Sequence, residues 1–577
     1  MSESSSSTIH PMRRFRYEAA LYVLAFVIAL AVRFAKLGAA PLTDIEATWA
    51  LQALGVSQGS GPALGSQPAY ILFTSVLFFL LGAGTNFLAR FIPALAGSAL
   101  VFVPRLFQHR LKPRPSLILA FLLALDPGLV ALSRQAGSSI LAVTFALLAW
   151  GLWENRRVAW AGVFAGLALL SGPWVWAGLI TLGLTWAVGQ VFELRWRSRE
   201  NPDSVHSTSG GRLTALWFAV GTIILGGTLF FLAPNGLSAW VSALPDYLGG
   251  WTRPSDIPLG LMLFSLLAYQ PLGLILALVA TVRGWVQGSP RVMRLSLWML
   301  VALLLALFYP ARQMADLAWM LIPLWALAAL ELARAANVHP QERSEVLGVV
   351  ALTAVILAFI WFNFLALMQT PGDSQQSTLR TWLLFGAFFL LFISMLLVAV
   401  GWSIRSARFG AVWGLTVALG LYAFSAAMGA AGLRLIPEAV DMWRPGSNMP
   451  ESDLLLTTVD QVSDWSMDNI NSQPVTIAGI HSPALQWLLR GHAVFLTDAL
   501  DVSAAPPIVI TTDQDNPALA ASYRGQGFVW RDQPQWAQTG LSDWVNWLGF
   551  HQVVQNPEKI IVWVRGDLFL DSGVPKP

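Results

Sequence analysis

Apolar runs recur along this chain from Glu18 to Met428, most of them about 15 to 25 residues long, and no run of that kind follows. At 1.5 Å per residue a helix of ~20 apolar residues crosses ~30 Å of hydrocarbon, so most of the runs are long enough to span a membrane. This repetition predicts a polytopic α-helical membrane protein that closes with one water-soluble domain of roughly 150 residues. Composition agrees: 55% of residues are hydrophobic and 12% charged, where a soluble chain carries ~25% charged residues. The mean hydropathy of +0.59 leaves a soluble fold no means of hiding so much apolar surface. The 27 Trp and 32 Phe suit interfacial and lipid-facing positions and do not by themselves indicate a ligand. With no cysteine, disulfides, Cys-ligated zinc, iron–sulfur clusters and thiol nucleophiles are excluded.

Charge sets the expected topology. A basic pI of about 9.3 raises the question of nucleic acid, but the Arg and Lys residues lie mostly in short loops between apolar runs. Arg13, Arg14 and Arg16 precede the first run, and Arg33 and Lys36 near its far end favour a retained helix over a cleaved signal. Basic clusters follow at Arg105/Arg110/Lys112/Arg114, Arg156/Arg157, Arg195/Arg197/Arg199/Arg212, Arg283/Arg291/Arg294, Arg334/Arg343 and Arg405/Arg408. The positive-inside rule places these loops in the cytoplasm. The spans are then 18–37, 88–104, 116–132, 138–153, 157–172, 174–192, 213–233, 258–282, 295–309, 316–335, 346–369, 380–402 and 408–428, thirteen crossings in all. Residues 1–17 form a cytoplasmic tail, 18–428 the transmembrane domain with its first outer loop at 38–87, and 429–577 an extracytoplasmic domain. The apolar segment Tyr70 to Leu81 is left as a juxtamembrane or re-entrant helix, because counting it would invert every later loop. The expected location is the plasma or inner membrane.

Within the membrane region, seven basic residues fall on the outer side under this topology: Arg33, Lys36, Arg90, Arg134, Arg253, Arg312 and Arg380. Each is a packed ion pair, an interfacial snorkeller or part of an anion site. Acids share that face: Asp44 and Glu46 lie in the first outer loop, ahead of a helix-like stretch to Leu54. Guanidinium groups hold phosphate oxygens bidentately and a carboxylate accepts the proton of an attacking hydroxyl, which is the equipment for transfer from an anionic lipid. The same two acids also suit a helix start, Asp44 as cap and Glu46 in the first turn. Arg312 and Asp316, four apart, share a face if helical, either as a local ion pair or as lipid-phosphate contacts. The long outer loop Pro234 to Pro258 carries Asp246, Tyr247, Trp251, Arg253 and Asp256 as candidate acceptor or lipid contacts.

Ordered landmarks between Arg33 and Trp176 resemble the GT-C superfamily of polyprenyl-phosphate-dependent glycosyltransferases, in the branch of protein O-mannosyltransferases and aminoarabinose transferases. They are Pro41-Leu42 with Asp44 and Glu46, then Gln67-Pro68-Ala69-Tyr70, then Arg90-Phe91-Ile92-Pro93-Ala94-Leu95, then Asp126-Pro127 leading to Ser133-Arg134. The resemblance implies an outward-facing site, a first-loop acid as base, and a polyprenyl-phosphate-linked sugar as donor substrate, with no resident metal or other cofactor assigned. It also implies membrane lipid and a saccharide, lipid or protein acceptor as partners, and no nucleic acid. The chain departs from the family pattern at three places. Ile45 separates the two acids, no carboxylate follows Ser133-Arg134 in Gln135-Ala136-Gly137-Ser138-Ser139, and Ser171-Gly172-Pro173 lacks the basic residue often found there.

In the C-terminal domain Asp453–Val459, Pro474–Ile480, Ala493–Thr497, Pro507–Thr511 and Ile560–Val564 read as short strands, with helices at Ser482–Arg490 and Leu541–Leu548, a small α/β domain. It has no Gly-rich phosphate loop, metal-spaced His pair or nucleophile elbow. The expected activity is sugar transfer, with Glu46 and Asp44 as base or acceptor-positioning groups. Arg134, Arg312, Arg90, Tyr70, Asp316 and Arg253 are the candidate lipid-phosphate or substrate contacts. The alternative is a catalytically degenerate GT-C-like, lipid-binding or transporter-like membrane protein, although internal repeats and mid-span ionisable residues are not seen.

Overall fold

The computed structural model describes residues 11–61, 63–196, 209–255, 257–336, 343–370, 374–401, 403–434, 440–443, 448–467, 473–501, 503–513 and 519–573. Arg197, Arg199 and Asp256, named above, lie outside them, as do residues 1–10 of the expected tail.

Every one of the thirteen expected spans coincides with a helix or a bent helix pair. Among the described residues eight helices are long and apolar enough to cross a membrane, from Tyr17–Phe34 to Ile404–Ala430. Two more candidates are helix pairs, Pro113–Leu125 with Pro127–Ser133 bent by 58° and Leu259–Tyr269 with Pro271–Val286 bent by 87°. Each break has the same local cause: proline lacks an amide hydrogen and disfavours helical backbone in the residue before it, so it starts the second helix. Ile140–Glu154, Val158–Leu169 and Gly211–Gly227 are shorter, and Val158–Leu169 at 12 residues is about 18 Å long. Pro68–Leu81, the segment expected not to cross, is a helix of 14 residues whose first half is buried and whose Phe79, Leu80 and Leu81 are exposed.

Two readings need correction. The outer loop Pro234 to Pro258 is not a loop throughout: Asn235–Gly249 is helical, with Pro245 inside it and Ala239, Ala243 and Tyr247 on its buried side. The run Asp453–Val459 is not a strand but lies in the helix Ser452–Met467. Its two threonines and valine favour a strand locally, yet Leu455, Val459 and Val462 are the buried apolar positions, a helical spacing that packs them into one core.

The soluble domain is a mixed five-stranded sheet: β1 (Val475–Ala478), β2 (Val494–Thr497), β3 (Ile508–Thr512), β4 (Tyr523–Pro534) and β5 (Gln555–Arg565), in the order β2-β1-β3-β5-β4. β1 pairs in parallel with β2 and β3, and β5 runs antiparallel to β3 and β4. The sequence reading missed β4 because its exposed Arg-Gly-Gln-Gly stretch lacks an apolar alternation. The sheet does not hang free of the membrane region. One apolar cluster unites Leu42, Ala47, Tyr70 and Phe78 of the segment 38–87 with Leu485, Trp487, Ile510 and Trp530 of the domain.

Candidate functional site

The sequence-predicted residues separate into two groups. The first is built on the helix Asp44–Ser57. Thr43 is its N-cap, with its side chain accepting from Glu46 N, and Glu46 reaches back to Thr43 N, completing a capping box. The cap is therefore Thr43 and not Asp44. Glu46 is 4% exposed and meets Arg90, 2% exposed, through two charge-assisted bonds, Nε to Oε1 at 2.7 Å and Nη2 to Oε2 at 2.8 Å. Oε1 also accepts from Ala136 N at 3.0 Å, so the carboxylate ties three separate segments together. Arg90 spends its remaining donors on the carbonyls of Leu37, Ala40 and Pro41. All five of its N–H groups are engaged within the chain. Tyr70 is fully buried and donates to Ala89 O at 2.8 Å.

Arg134 closes the end of the first helix, donating to the carbonyls of Val32, Arg33, Ala35 and Lys36. Those carbonyls lack intrahelical partners, and a guanidinium there also meets the negative end of the helix dipole. Arg33 serves Pro113–Leu125 in the same way, through Leu123 O and Ala124 O. Thus Arg33, Arg90 and Arg134 are committed to backbone carbonyls.

The second group is open by comparison. Residues 250–255 and Ile257 lie beside 309–312: Ala311 N donates to Gly250 O, Ser255 Oγ donates to Arg312 O, and Arg312 Nε donates to Ile257 O at 2.9 Å. Arg312 and Asp316 form no ion pair, because Tyr309–Gln313 is not helical and the guanidinium turns to Ile257. The Nη groups of Arg312 make no hydrogen bond to described residues, and Arg253 is exposed. Asp316 accepts from Gln313 N at 2.7 Å and lines a small cleft with Tyr247, Tyr309, Thr181 and Trp319. The two tyrosine rings stack at 5.0 Å, Trp251 meets Tyr309 edge-on, and the Tyr247 hydroxyl is buried with no hydrogen-bond partner among the described residues. Burial, with the Asp316 charge adding to it, pushes the Tyr247 phenol up to about 12, which keeps it a donor at neutral pH.

No family model and no curated protein matches the chain. ArnT from Cupriavidus metallidurans bound to undecaprenyl phosphate aligns over 98% of this chain and 100% of its own length, at a TM-score of 0.52 and 14% identity. The chain has a GT-C-like fold. The apo form of the same ArnT covers 97% and 100% at a TM-score of 0.53, also with 14% identity. The Archaeoglobus fulgidus oligosaccharyltransferase in complex with Zn and sulfate, at a TM-score of 0.39, 13% identity, and 85% and 68% coverage, is too distant in shape to bear on the site. At such identities the GT-C-like scaffold is what is shared, and chemistry has to be argued from the residues.

Two features of this chain, one residue and the task of another, escaped the sequence reading. Gln67, quoted above only as part of a motif, is 1% exposed, and neither amide atom has a hydrogen-bond partner among the described residues. It packs on Gly172, whose φ of +96° and closeness to Gln67 Cγ (2.6 Å from an added Cβ) explain the glycine of Ser171-Gly172-Pro173. Asp44 is the second feature. It binds the soluble domain, accepting from Ser482 Oγ at 2.7 Å and Ala484 N at 3.0 Å and pairing with Arg531 Nη1 at 2.7 Å. Trp487 Nε1 to Asn86 Oδ1 and Arg490 Nε to Gly84 O extend the contact. Asp44→Ala is expected to loosen this junction by about 1–2 kcal/mol, since the pair is part-buried and two donors lose their acceptor. Faster protease cleavage of the chain between the last membrane helix and the domain, with Asp44→Asn intermediate, is the readout. Equal cleavage rates in all three proteins would contradict it.

Proposed function

We propose that this chain is an integral-membrane glycosyltransferase that moves a sugar from a polyprenyl-phosphate carrier to an acceptor hydroxyl, on the side of the membrane that carries the sheet domain. What supports this is the contrast between the two residue groups on a GT-C-like scaffold. The first-loop charges are spent inside the protein, whereas Asp316 and Tyr247 line a small cleft and the neighbouring Arg312 and Arg253 keep donors that no described residue takes up. Arg312 and Arg253 would hold phosphate oxygens. The acceptor oxygen attacks the anomeric carbon, the bond from that carbon to the phosphate oxygen breaks, and polyprenyl phosphate leaves with the electron pair. The hydroxyl proton passes to a carboxylate, for which Asp316 is the best-placed candidate, ahead of Asp44 and Glu46. The orientation that accompanies this reading is an inside N-terminus and an outside C-terminal domain, and a C-terminal reporter active only in the cytoplasm should stay silent.

A binding-only reading also has an observation in its favour: Glu46 and Asp44, the first-loop acids, are both engaged within the protein. One experiment separates the two. Lipids retained by the purified protein are identified by mass spectrometry, and release of sugar from a labelled polyprenyl-phosphate donor is measured in vesicles. The transferase should retain polyprenyl phosphate and consume the donor, with Arg312→Ala lowering retention about tenfold through loss of a charge-assisted contact of about 1.5 kcal/mol. Retention without consumption would favour the binding reading. No retention at all would sink both.

A further inference from the structure

A cavity of about 700 Å³ opens where the last membrane helices meet the soluble domain, away from both residue groups described above. Leu367, from the last turn of Arg343–Met368, with Trp382 and Phe385 of Gln375–Gly401, forms its apolar part. Thr381 lies on that second helix, and Asp543 and Asn546 come from Leu541–Phe550 of the soluble domain. Trp382 and Phe385 are 70% and 64% exposed, which on a membrane helix means exposed to lipid at the level where aromatic rings gather. The cavity therefore has one apolar side facing hydrocarbon and one polar side facing the aqueous domain, the shape an amphiphile requires.

The polar side has a definite charge: Asp543 is the one carboxylate among the described residues that line it, while Asn546, Ser542 and Thr378 add a neutral amide and hydroxyls that can donate as well as accept. No Lys or Arg is among those described residues, so no cation there matches a phosphate monoester. Thr381 Oγ1 already donates its proton to Ser377 O at 2.8 Å, so it presents lone pairs. Asp543 accepts from Gly540 N at 2.8 Å through Oδ2, and a carboxylate has further acceptor capacity and no donor. One net negative charge, with the lone pairs of Thr381 beside it, selects a cationic group bearing several N–H donors, and the Asn546 amide is left for the phosphodiester oxygens of such a headgroup. An ammonium, with three donors and no acceptor, is such a group. We infer that this cavity binds a membrane lipid whose headgroup carries a primary ammonium, with Asp543 and Thr381 receiving the ammonium and the lipid tail lying along Trp382 and Phe385. This site is independent of the glycosyltransferase reading, and it stands or falls without it.

Native mass spectrometry of the full-length protein, equilibrated with equal amounts of ethanolamine-, choline- and glycerol-headed phospholipids of identical chains, tests the inference. Choline keeps the positive charge and removes the N–H donors, and the glycerol headgroup removes the cation. The ethanolamine lipid should be retained about tenfold over the other two. Asp543→Asn, which keeps an amide oxygen for the Gly540 N–H, and Thr381→Leu, which fills the cavity from the membrane helix without touching that cap, should each bring the preference within about twofold. Equal retention of all three lipids by the unaltered protein would show an adventitious additive only. A preference for the glycerol or choline headgroup, or a preference for ethanolamine that both variants keep, would equally overturn the site.

Discussion

Glu46→Ala is expected to destabilise the folded protein by about 3–5 kcal/mol, because it strips a buried guanidinium of its counter-charge. The side chains of the pair are 2% and 5% exposed, so water cannot take the place of the lost carboxylate. The loss also frees Ala136 N and breaks the capping box with Thr43. A general base has a different signature, since removing it abolishes turnover while leaving the melting temperature nearly unchanged. Thermal unfolding in detergent, followed by size-exclusion of the soluble fraction, reads the difference. The double variant Glu46→Leu/Arg90→Met should recover part of the loss, because it removes both charges together. A melting temperature within error of the unaltered protein for Glu46→Ala would refute the role assigned to this pair.

Asp126→Ala should cost about 3 kcal/mol or more, and it should do so by unlocking two helix breaks at once. Asp126 is 1% exposed and caps Pro127–Ser133 through Leu129 N at 2.6 Å. Its other oxygen accepts from Gln270 Nε2 at 2.5 Å and Trp325 Nε1 at 2.7 Å. Gln270 is the residue at the 87° break of the second bent pair, so one carboxylate holds both bends against the central helix Ala318–Ala335. Three buried donors lose their acceptor in the alanine variant, at about 1–3 kcal/mol each before relaxation, and hydrocarbon offers them no water. Asp126→Asn should rescue only part, since its amide can accept on one side and presents N–H groups to two donors on the other. Unfolding temperature and the yield of monodisperse protein measure both variants, and an alanine variant as stable as the asparagine one would argue against the shared lock.

Much of this protein was readable from local pattern. Hydropathy marks the helices because the demand for ~20 apolar residues is met within one stretch of chain, whereas the 87° break at Gln270-Pro271 was hidden inside 258–282, which passes as one apolar run. Strands β1, β2, β3 and β5 were legible as short apolar runs, while Ser452–Met467 shows a core overriding a β-leaning local composition.

The roles of the charged residues were not readable in that way. An arginine beside a membrane span reads the same whether it caps a helix, pairs with a carboxylate or waits for a phosphate. Its partner decides, and the partners are remote: Arg90 and Glu46 are 44 residues apart, Arg134 and Arg33 O 101, and Asp44 and Ser482 438. Chain order by itself determined a many-helix membrane protein with a terminal α/β domain, since burial in lipid is a property of each segment. Only the tertiary structure decided which charges are consumed in holding it together and which face a cleft, because a hydrogen bond depends on the position of both partners and only the packed chain sets both.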